Sequence, residues 1–575
     1  MCKLEKQSTN KDCYFIKQIF TVLFLFYFPI LITSCTTDEE ETVEVIDPSF
    51  SEEDIQHEQD LNTYLYNSYP CFIHSVVVTD RLVKISGQCT GGGNFYLGEI
   101  SPNIDVLKST AIPYKQRLVD SSFQIELERF VTRDGFLYDR ILSKWAVFRE
   151  VAGVNQLMSH ARYVDEIPAI RHLEPVKLIS KKGLGGIIPN QYISDFTKLD
   201  ISSATINVCI THFMHLTPRA GDVEHVYGGK SYYMDENYLV NSIDKVLLQA
   251  TQKNIAVAAI ILVEPAAKCT DPEIGKILQH PDNDGGTYTM PNMTTSEAVN
   301  CYAAALDFLA KRYCTVDNRN GRISHWIIHN EVDGGRDWAN MGIKPVTVFT
   351  DTYMKSMRMC YNIVRQYDVH AEVFASFSHS WTETSNPGWY TCKEMLGLLN
   401  AYSEVEGDFQ WGLAYHSYAQ DLTNPCTWND PNATYSMNTQ FVTFKNLEVL
   451  HKWAMDGENK YKGTVKRSVW LSEAGVNSRD YSEEELQKQA AGFAYAWKKI
   501  NALEGIDGIQ WHNWFDNQVE GACLGLRKYL DETYKGEAKP VWYVYQKAGT
   551  DEEDEYFEQF LPVIGISDWN IIEHF

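Results

Sequence analysis

Two glutamates stand at the ends of apolar runs in this sequence. Glu331 closely follows the run 326–328, and Glu473 closely follows the run 469–471. A short apolar run is typical of a buried strand, and each carboxylate would stand where such a strand opens into solvent. Two carboxylates that face one cleft can divide acid and base work between them. The pair therefore indicates acid–base chemistry on a bound substrate.

The elements that must position these glutamates alternate between short apolar strands and longer amphipathic helices, as in repeated β-α units of a parallel sheet. Eight candidate strands lie at 183–187, 204–210, 256–263, 324–331, 372–378, 411–418, 468–473 and 508–514. Helices are predicted at 239–250, 296–312, 346–366, 441–455 and 483–503. This order predicts a (β/α)8 TIM barrel over 181–575. An open doubly wound sheet is the runner-up, but no glycine-rich phosphate loop follows the first strand.

The carboxyl ends of the strands form the working face of such a barrel. Glu331 would end the fourth strand and Glu473 the seventh. In these positions Asn330-Glu331 and 472–475 (Ser-Glu-Ala-Gly) resemble the motifs of clan A retaining glycoside hydrolases, the TIM-barrel glycosidase superfamily. The resemblance implies that Glu331 is the acid/base and Glu473 the nucleophile of a double displacement on a poly- or oligosaccharide. Val332 replaces the proline that often follows this acid/base, so no closer family is indicated.

The sixth strand offers a second pair, His416 and Tyr418, which are two residues apart and so share one face. The resemblance implies that this pair supports the sugar and the nucleophile, with the tyrosine hydroxyl donating to the carboxylate. It also makes Asn330 a substrate-binding residue.

The eighth strand ends in an aromatic segment from which the clan commonly supplies the floor of the sugar subsite. Trp511 and Trp514 are both candidates, because the choice depends on the register of the strand, and indole faces stack on apolar sugar faces. His212 and His379, at the ends of other strands, are further candidates for binding sugar hydroxyls. The implied partner is a carbohydrate substrate, and no cofactor is required.

Two other functions remain open. A metal-dependent barrel hydrolase would use the histidines near strand ends, which are His212, His329, His379, His416 and His512. The segment 212–215 lacks the His-x-His spacing expected of two inward residues, and no metal site is predicted. The second alternative is a noncatalytic surface lipoprotein that binds glycans and has retained the barrel.

The region 61–180 differs from the barrel. It alternates at 74–78 and 82–87, with further strands at 122–126 and 146–150, and this pattern predicts a small antiparallel β-sandwich. Packing against the next domain is favoured over a carbohydrate-binding role.

The amino terminus resembles a lipoprotein signal. A lysine-containing start precedes an apolar stretch at 19–32, so 1–34 is predicted to be a signal peptide. The segment that ends in Cys35 resembles a bacterial lipobox, which implies a lipid anchor on this cysteine. The stretch 35–60 is acidic and contains no lysine or arginine, and it predicts a solvated tether. We expect an outer-membrane lipoprotein that faces the cell surface, with the periplasmic side as the alternative. Other glycan-utilisation proteins are candidate partners.

Charge and cysteine usage set further limits. The formal net charge of −25 argues against a nucleic acid partner. Ten cysteines follow Cys35 without CxxC spacing. An exported protein can pair some of them, Cys71 with Cys89 being conceivable, but the spacing fixes no connectivity.

Overall fold

A computed structural model describes residues 50–108, 112–384, 386 and 388–572. The predicted signal peptide, Cys35 and the tether up to residue 49 lie outside the described residues. Within them, every helix is either too short or too polar to cross a membrane.

Eight parallel strands form a closed barrel, and the prediction of a (β/α)8 fold is confirmed. In barrel order the strands are β10 (Lys182–Gly185), β11 (Ser203–Cys209), β15 (Ala256–Leu262), β16 (His325–Ile328), β17 (Val373–Phe377), β18 (Trp411–Tyr415), β19 (Val469–Ala474) and β20 (Gly508–Trp511). The first strand pairs with the eighth, which closes the ring.

The interior of the barrel is a packed apolar core. Every residue of β15 is buried, and alternate residues of this strand, from Ala256 to Leu262, join one apolar cluster. Phe374 and Trp470 fill the same cluster from strands across the barrel. Small side chains on one strand thus accommodate large ones on others, and the strand ends are held on a rigid base.

Helices surround the barrel. They are α1 (Glu52–Tyr66), α2 (Ser194–Lys198), α3 (Glu236–Tyr238), α4 (Lys245–Thr251), α5 (Pro272–Leu278), α6 (Ser296–Tyr313), α7 (Gly335–Trp338), α8 (Val346–Val364), α9 (Cys392–Glu406), α10 (Glu448–Met455), α11 (Glu483–Ala502), α12 (Pro540–Lys547), α13 (Glu553–Phe557) and α14 (Leu561–Ile564). A π-helical segment, Leu239–Asp244, precedes α4. Side-chain caps fix several starts, as where Thr295 accepts from Ala298 N at the start of α6.

Small antiparallel sheets precede the barrel. Their strands are β1 (Cys71–Val78), β2 (Leu82–Cys89), β3 (Phe95–Ile100), β4 (Lys115–Arg117), β5 (Ser122–Glu128), β6 (Phe130–Arg133), β7 (Phe136–Asp139), β8 (Lys144–Val151) and β9 (Val154–Leu157). They pair in the orders β1-β2-β5, β4-β3-β8-β9 and β6-β7. Lys144 and Tyr64 both bond to Glu406 of α9, at 2.6 and 2.8 Å, so this region packs on a barrel helix through a buried ion pair.

The predicted acidic tether 35–60 requires a correction, because its last part is helical. Ser51 caps α1 by accepting from Asp54 N, and acidic residues fill the first turn, where the helix dipole favours them. The side chains of Leu61 and Leu65 are buried on the inner side of the helix. An acidic run with apolar residues just beyond it can therefore dock as a helix instead of staying extended.

The loop after the second barrel strand carries a small sheet of its own, made of β12 (Met214–His215), β14 (Lys230–Asp235) and β13 (Asp222–Tyr227). The ten cysteines of the described residues are free thiols. Cys71 and Cys89 lie directly opposite each other on β1 and β2.

Candidate active site

Glu331 lies just beyond the fourth barrel strand in a strained backbone conformation. Its φ and ψ are 35° and 60°, in the left-handed region that non-glycine residues rarely adopt, and His329 is also left-handed. The Ser376 hydroxyl accepts from Glu331 N at 3.0 Å, and the His329 ring lies 3.0 Å from the Ser356 hydroxyl. These bonds hold an unfavourable turn and aim the Glu331 side chain into the barrel mouth.

Glu473 reaches the same mouth from the seventh strand through an irregularity in pairing. The register between β19 and β20 shifts between Leu471 and Ala474. Trp470 faces the barrel interior, so regular alternation would turn Glu473 outward. The shift re-aims the glutamate inward, as β-bulges beside active sites do.

The segment directly after the sixth strand contacts both carboxylates. His416 Nδ1 lies 2.8 Å from Glu331 Oε1, and the Tyr418 hydroxyl donates to Glu473 Oε1 at 3.0 Å. His416 is fully buried and Tyr418 nearly so. The side-chain pair expected on one face of this strand thus bridges the two glutamates.

The electrostatic surroundings favour an ionised Glu473. Burial raises the pKa of this carboxyl, but the positive charges of His512 and His416 and the Tyr418 hydrogen bond outweigh it, so the pKa lies below its ordinary value. Burial lowers the pKa of His416, and the two glutamates more than compensate, which raises it. A positively charged His416 is thus stabilised between Glu331 and Glu473.

Asp333 is a further carboxyl near Glu331. It is fully buried, and Ser378 donates to it through its backbone N–H at 2.9 Å and through its hydroxyl at 2.5 Å. Burial and the charge of Glu331 raise the pKa of Asp333 to about 6, against the Ser378 and Cys392 hydrogen bonds. Asp333 therefore titrates near neutral pH.

A cavity of about 320 Å³ opens beside Glu473. The Glu520 carboxylate organises one wall, because His512 Nε2 lies 3.2 Å from it and Asn513 Nδ2 donates to it at 2.8 Å. Asn517 donates to its second oxygen at 2.8 Å. The His512–Asn513 peptide bond is cis. These polar groups and Glu473 face one space that can hold a ligand.

Trp511 and Trp514 do not face the cleft, which corrects the prediction that one of them forms a sugar floor. Trp511 is fully buried, lies edge-on to Phe493 and Tyr545 of the surrounding helices, and donates to Leu524 O. Successive side chains of a strand point to opposite faces, and on β20 the Trp511 side chain points away from the barrel interior. The alternate side chains, which point inward, continue to His512. Trp514 is also fully buried and donates to the carboxylate of Asp195 at 3.0 Å.

The other predicted residues are spread around the rim. Asn330 is half-buried beside Glu331. His379 lies close enough to Glu331 and His416 for their charges to act on its pKa. His212 stands at a different strand end, where its Nε2 lies 2.9 Å from Glu264. His329 bonds to Ser356 and to Ile261 O. The five histidines considered for a metal-dependent hydrolase therefore do not share one ligand set.

The comparisons with known proteins identify a family. The model of a family of unknown function, DUF5722, matches residues 174–572. The chain belongs to this family. No curated protein matches it.

Solved structures similar to this DUF5722 chain include glycoside hydrolases. A family 39 glycoside hydrolase from Bacteroides cellulosilyticus WH2 is 13% identical, with a TM-score of 0.42, and the match covers 82% of this chain and 80% of the other. A β-glucuronidase from Bacteroides uniformis is 10% identical with a TM-score of 0.37, over 83% of this chain and 49% of the other, about half its length. An endo-1,4-β-mannanase from Rhizomucor miehei is 11% identical with a TM-score of 0.38, over 68% and 98%.

The structure adds residues to the site that sequence reasoning did not select. Glu520 and Asn517 lie on a loop beyond the last barrel strand, and no pattern marked them. Trp338 and Trp389 are half-buried and flank Gly334 in the loop after Glu331. His512 was considered only as a metal ligand, although the alternation of residues along β20 predicts that its side chain faces the barrel mouth.

Proposed function

We propose that this chain is a retaining glycoside hydrolase that acts on a poly- or oligosaccharide, with Glu473 as nucleophile and Glu331 as acid/base. One observation carries the proposal. Two carboxylates at the ends of the fourth and seventh strands meet at one barrel mouth, and His416 and Tyr418, just beyond the sixth strand, bond to one each. A pair of carboxyls with separate surroundings is what double displacement requires.

In the first step, a carboxylate oxygen of Glu473 attacks the anomeric carbon and the bond to the leaving oxygen breaks. Glu331 gives its proton to that oxygen. The lowered pKa of Glu473 keeps this group ionised and ready to attack. The product is a glycosyl ester on Glu473 and a free alcohol or shortened sugar chain.

In the second step, a water molecule attacks the same carbon, Glu331 takes its proton, and the Glu473 carboxylate leaves. Two inversions give net retention of configuration. His416 lies 2.8 Å from Glu331 and is positioned to exchange hydrogen-bond roles as Glu331 loses and regains its proton. Tyr418 supports Glu473 as it returns to the anionic form.

Substrate contacts are proposed for two parts of the mouth. Asn517 and Glu520 in the cavity offer amide and carboxylate groups to sugar hydroxyls. Trp338 and Trp389 replace Trp511 and Trp514 as candidates for stacking on the sugar, because both are half-buried beside Gly334 in the loop that follows Glu331.

The test uses a mechanism-based label. A panel of 2-deoxy-2-fluoroglycosides with activated leaving groups should inactivate the chain, and peptide mapping should find the sugar on Glu473. Glu473→Gln should abolish both labelling and turnover. Glu331→Gln should still be labelled by reagents whose leaving groups need no acid, and azide should restore its turnover of aryl glycosides.

Glu372→Gln is the matched control. Glu372 directly precedes the fifth strand, at the opposite end of the barrel from the mouth, so its loss should leave labelling and turnover unchanged. Initial release of the inverted anomer, or full turnover by Glu473→Gln, would exclude this mechanism. Binding of glycans without labelling or turnover would favour the noncatalytic alternative.

A further inference from the structure

Three side chains of different chemistry meet at the ends of the second and third barrel strands. Cys209 is the last residue of β11, His212 ends the 3-10 turn Ile210–His212, and Glu264 stands shortly beyond β15. One ligand atom from each lies within 4.8 Å of the others. Thiolate, imidazole and carboxylate are the three side-chain groups that commonly bind Zn²⁺.

We propose that Cys209, His212 and Glu264 bind one divalent transition-metal ion, for which Zn²⁺ is the best match, and leave a fourth coordination position open to the cleft. The site is separate from Glu331 and Glu473 and plays no part in the proposed displacement. It went unnoticed in the sequence because Glu264 is distant from the other two ligands along the chain.

The distances suit a tetrahedral ion after small side-chain movements. His212 Nε2 lies 2.9 Å from Glu264 Oε2. Tetrahedral Zn²⁺ with ordinary bond lengths holds such ligand atoms about 3.4 to 3.6 Å apart. Each pair in the group is therefore within about 1.4 Å of the required separation, which rotation of the side chains can supply.

Neighbouring groups fix the ligands in place. His212 Nδ1 lies 3.2 Å from the Tyr238 hydroxyl, so the ring can donate there while Nε2 binds a metal. The Thr211 hydroxyl lies 3.1 Å from Cys209 Sγ and accepts from Glu264 N at 3.3 Å. The loops that carry all three ligands are thus tied together before any ion binds.

The group is reachable from solvent. Cys209 is buried, whereas the His212 side chain is 36% exposed, so an ion can enter past the imidazole. Tyr288 packs against the apolar cluster that contains Cys209. Its hydroxyl also lies near enough to Glu264 and Glu473 for both charges to act on it. The proposed ligand set and Glu473 therefore lie within electrostatic range of the same tyrosine.

A simple ion pair between His212 and Glu264, with a buried thiol beside it, is the rival explanation. Co²⁺ distinguishes the two, because only a cobalt–thiolate bond gives a sulfur-to-metal charge-transfer band in the near ultraviolet. We expect the reduced full chain to bind one Co²⁺ with this band, and Zn²⁺ to displace it. Cys209→Ser should lose the band, and Cys426→Ser, which removes a half-buried thiol outside the group, should keep it.

Tyr238→Phe tests the outer partner and leaves all three ligands intact. Loss of such a partner should weaken binding about 10- to 100-fold. Failure of the wild-type chain to bind Co²⁺, binding without the band, or a band that persists in Cys209→Ser would each overturn the proposal. The wild-type spectrum decides the matter even if a variant does not fold, and it does so whether or not the chain hydrolyses glycosides.

Discussion

Replacing Tyr418 by phenylalanine should move the acidic limb of the pH–rate profile for hydrolysis to higher pH. The Tyr418 hydroxyl donates to Glu473 at 3.0 Å, and its side chain is only 8% exposed. Burial raises the pKa of Glu473, and His512, His416 and this hydrogen bond together lower it below its ordinary value. Removing the hydroxyl takes away one of the three contributions that lower the pKa of Glu473.

The size of the shift follows from the energy of the hydrogen bond. A hydrogen bond to a charged group contributes about 1.5 to 3 kcal/mol. One pH unit corresponds to about 1.4 kcal/mol, so the pKa of Glu473 should rise by about 1 to 2 units at most. In the proposed mechanism Glu473 must be ionised to attack, so the acidic limb of the kcat/KM profile should move to higher pH by that amount.

The assay is kcat/KM against pH for the aryl glycoside that the wild-type chain hydrolyses best. Tyr495→Phe is the control, since the Tyr495 hydroxyl contacts Lys445 O, outside the barrel, at 3.4 Å. This variant should keep the wild-type profile. A folded Tyr418→Phe variant whose acidic limb stays at the wild-type pH, or moves lower, would refute the reasoning that Tyr418 stabilises the charge of Glu473.

Four further outcomes are expected. Asp195→Ala should leave the buried Arg527 guanidinium without the carboxylate that it bonds at 2.6 and 2.8 Å. The loss should destabilise the fold by about 3 to 5 kcal/mol, measured as a lower midpoint of urea unfolding. An unchanged midpoint would contradict this. The pKa of Asp333 is raised from 3.8 to about 6, so the folded state favours the protonated carboxyl. The resulting contribution to stability is complete below pH 3.8 and is lost as the pH rises through 6. Asp333→Asn should therefore remove a fall of up to about 3 kcal/mol between pH 4 and 7, and equal pH slopes for both proteins would exclude this effect. Oxidation should join Cys71 to Cys89, with loss of two titratable thiols and a gain of about 3 kcal/mol in stability. An unchanged number of reactive thiols after oxidation and unfolding would count against this pairing. Hydrolysis should persist in full after chelation, and its loss on chelation with recovery on added metal would favour metal-dependent chemistry.

The barrel could be predicted because its signals are local and repeated. A fully apolar strand such as β15 and an amphipathic helix such as α6 each carry their own periodicity, so counting them is enough to give strand order. The strand count then placed Glu331 and Glu473 on the fourth and seventh strands. The exact ends of strands were less well predicted, since several strands stop two or three residues before the predicted end.

The wrong prediction for Trp511 and Trp514 shows where the same reasoning fails. The clan resemblance favoured an aromatic residue at the end of the eighth strand, and Trp511 and Trp514 were the aromatic residues available. Strand parity favours His512, because Gln510 faces inward and bonds to Ser203 across the barrel interior. The side chains of β20 that face inward are polar, so a hydrophobic pattern could not identify them. The prediction therefore followed the clan resemblance and not the alternation of side chains along the strand.

The position of Glu473 could not be read from periodicity at all. Regular alternation from Trp470 would face Ser472 inward, and the shift in register that turns Glu473 inward arises from pairing with β20. The left-handed turn at Glu331 likewise depends on Ser376 and Ser356, which belong to elements distant in sequence. Both catalytic candidates thus depend on long-range contacts that break the local rule, as functional sites often do.

The different surroundings of the two glutamates support the proposed roles without reference to strand numbers. Glu473 has a donating tyrosine and two histidine charges, all of which favour its anion. Glu331 has one histidine contact, and it lies close enough to Asp333 to help raise the pKa of that carboxyl. Positive charge and hydrogen-bond donors are therefore concentrated on the seventh-strand carboxylate. A nucleophile needs that environment in every turnover, whereas an acid/base must take up and release a proton, so the electrostatics of the mouth favour the same assignment as the order of the strands.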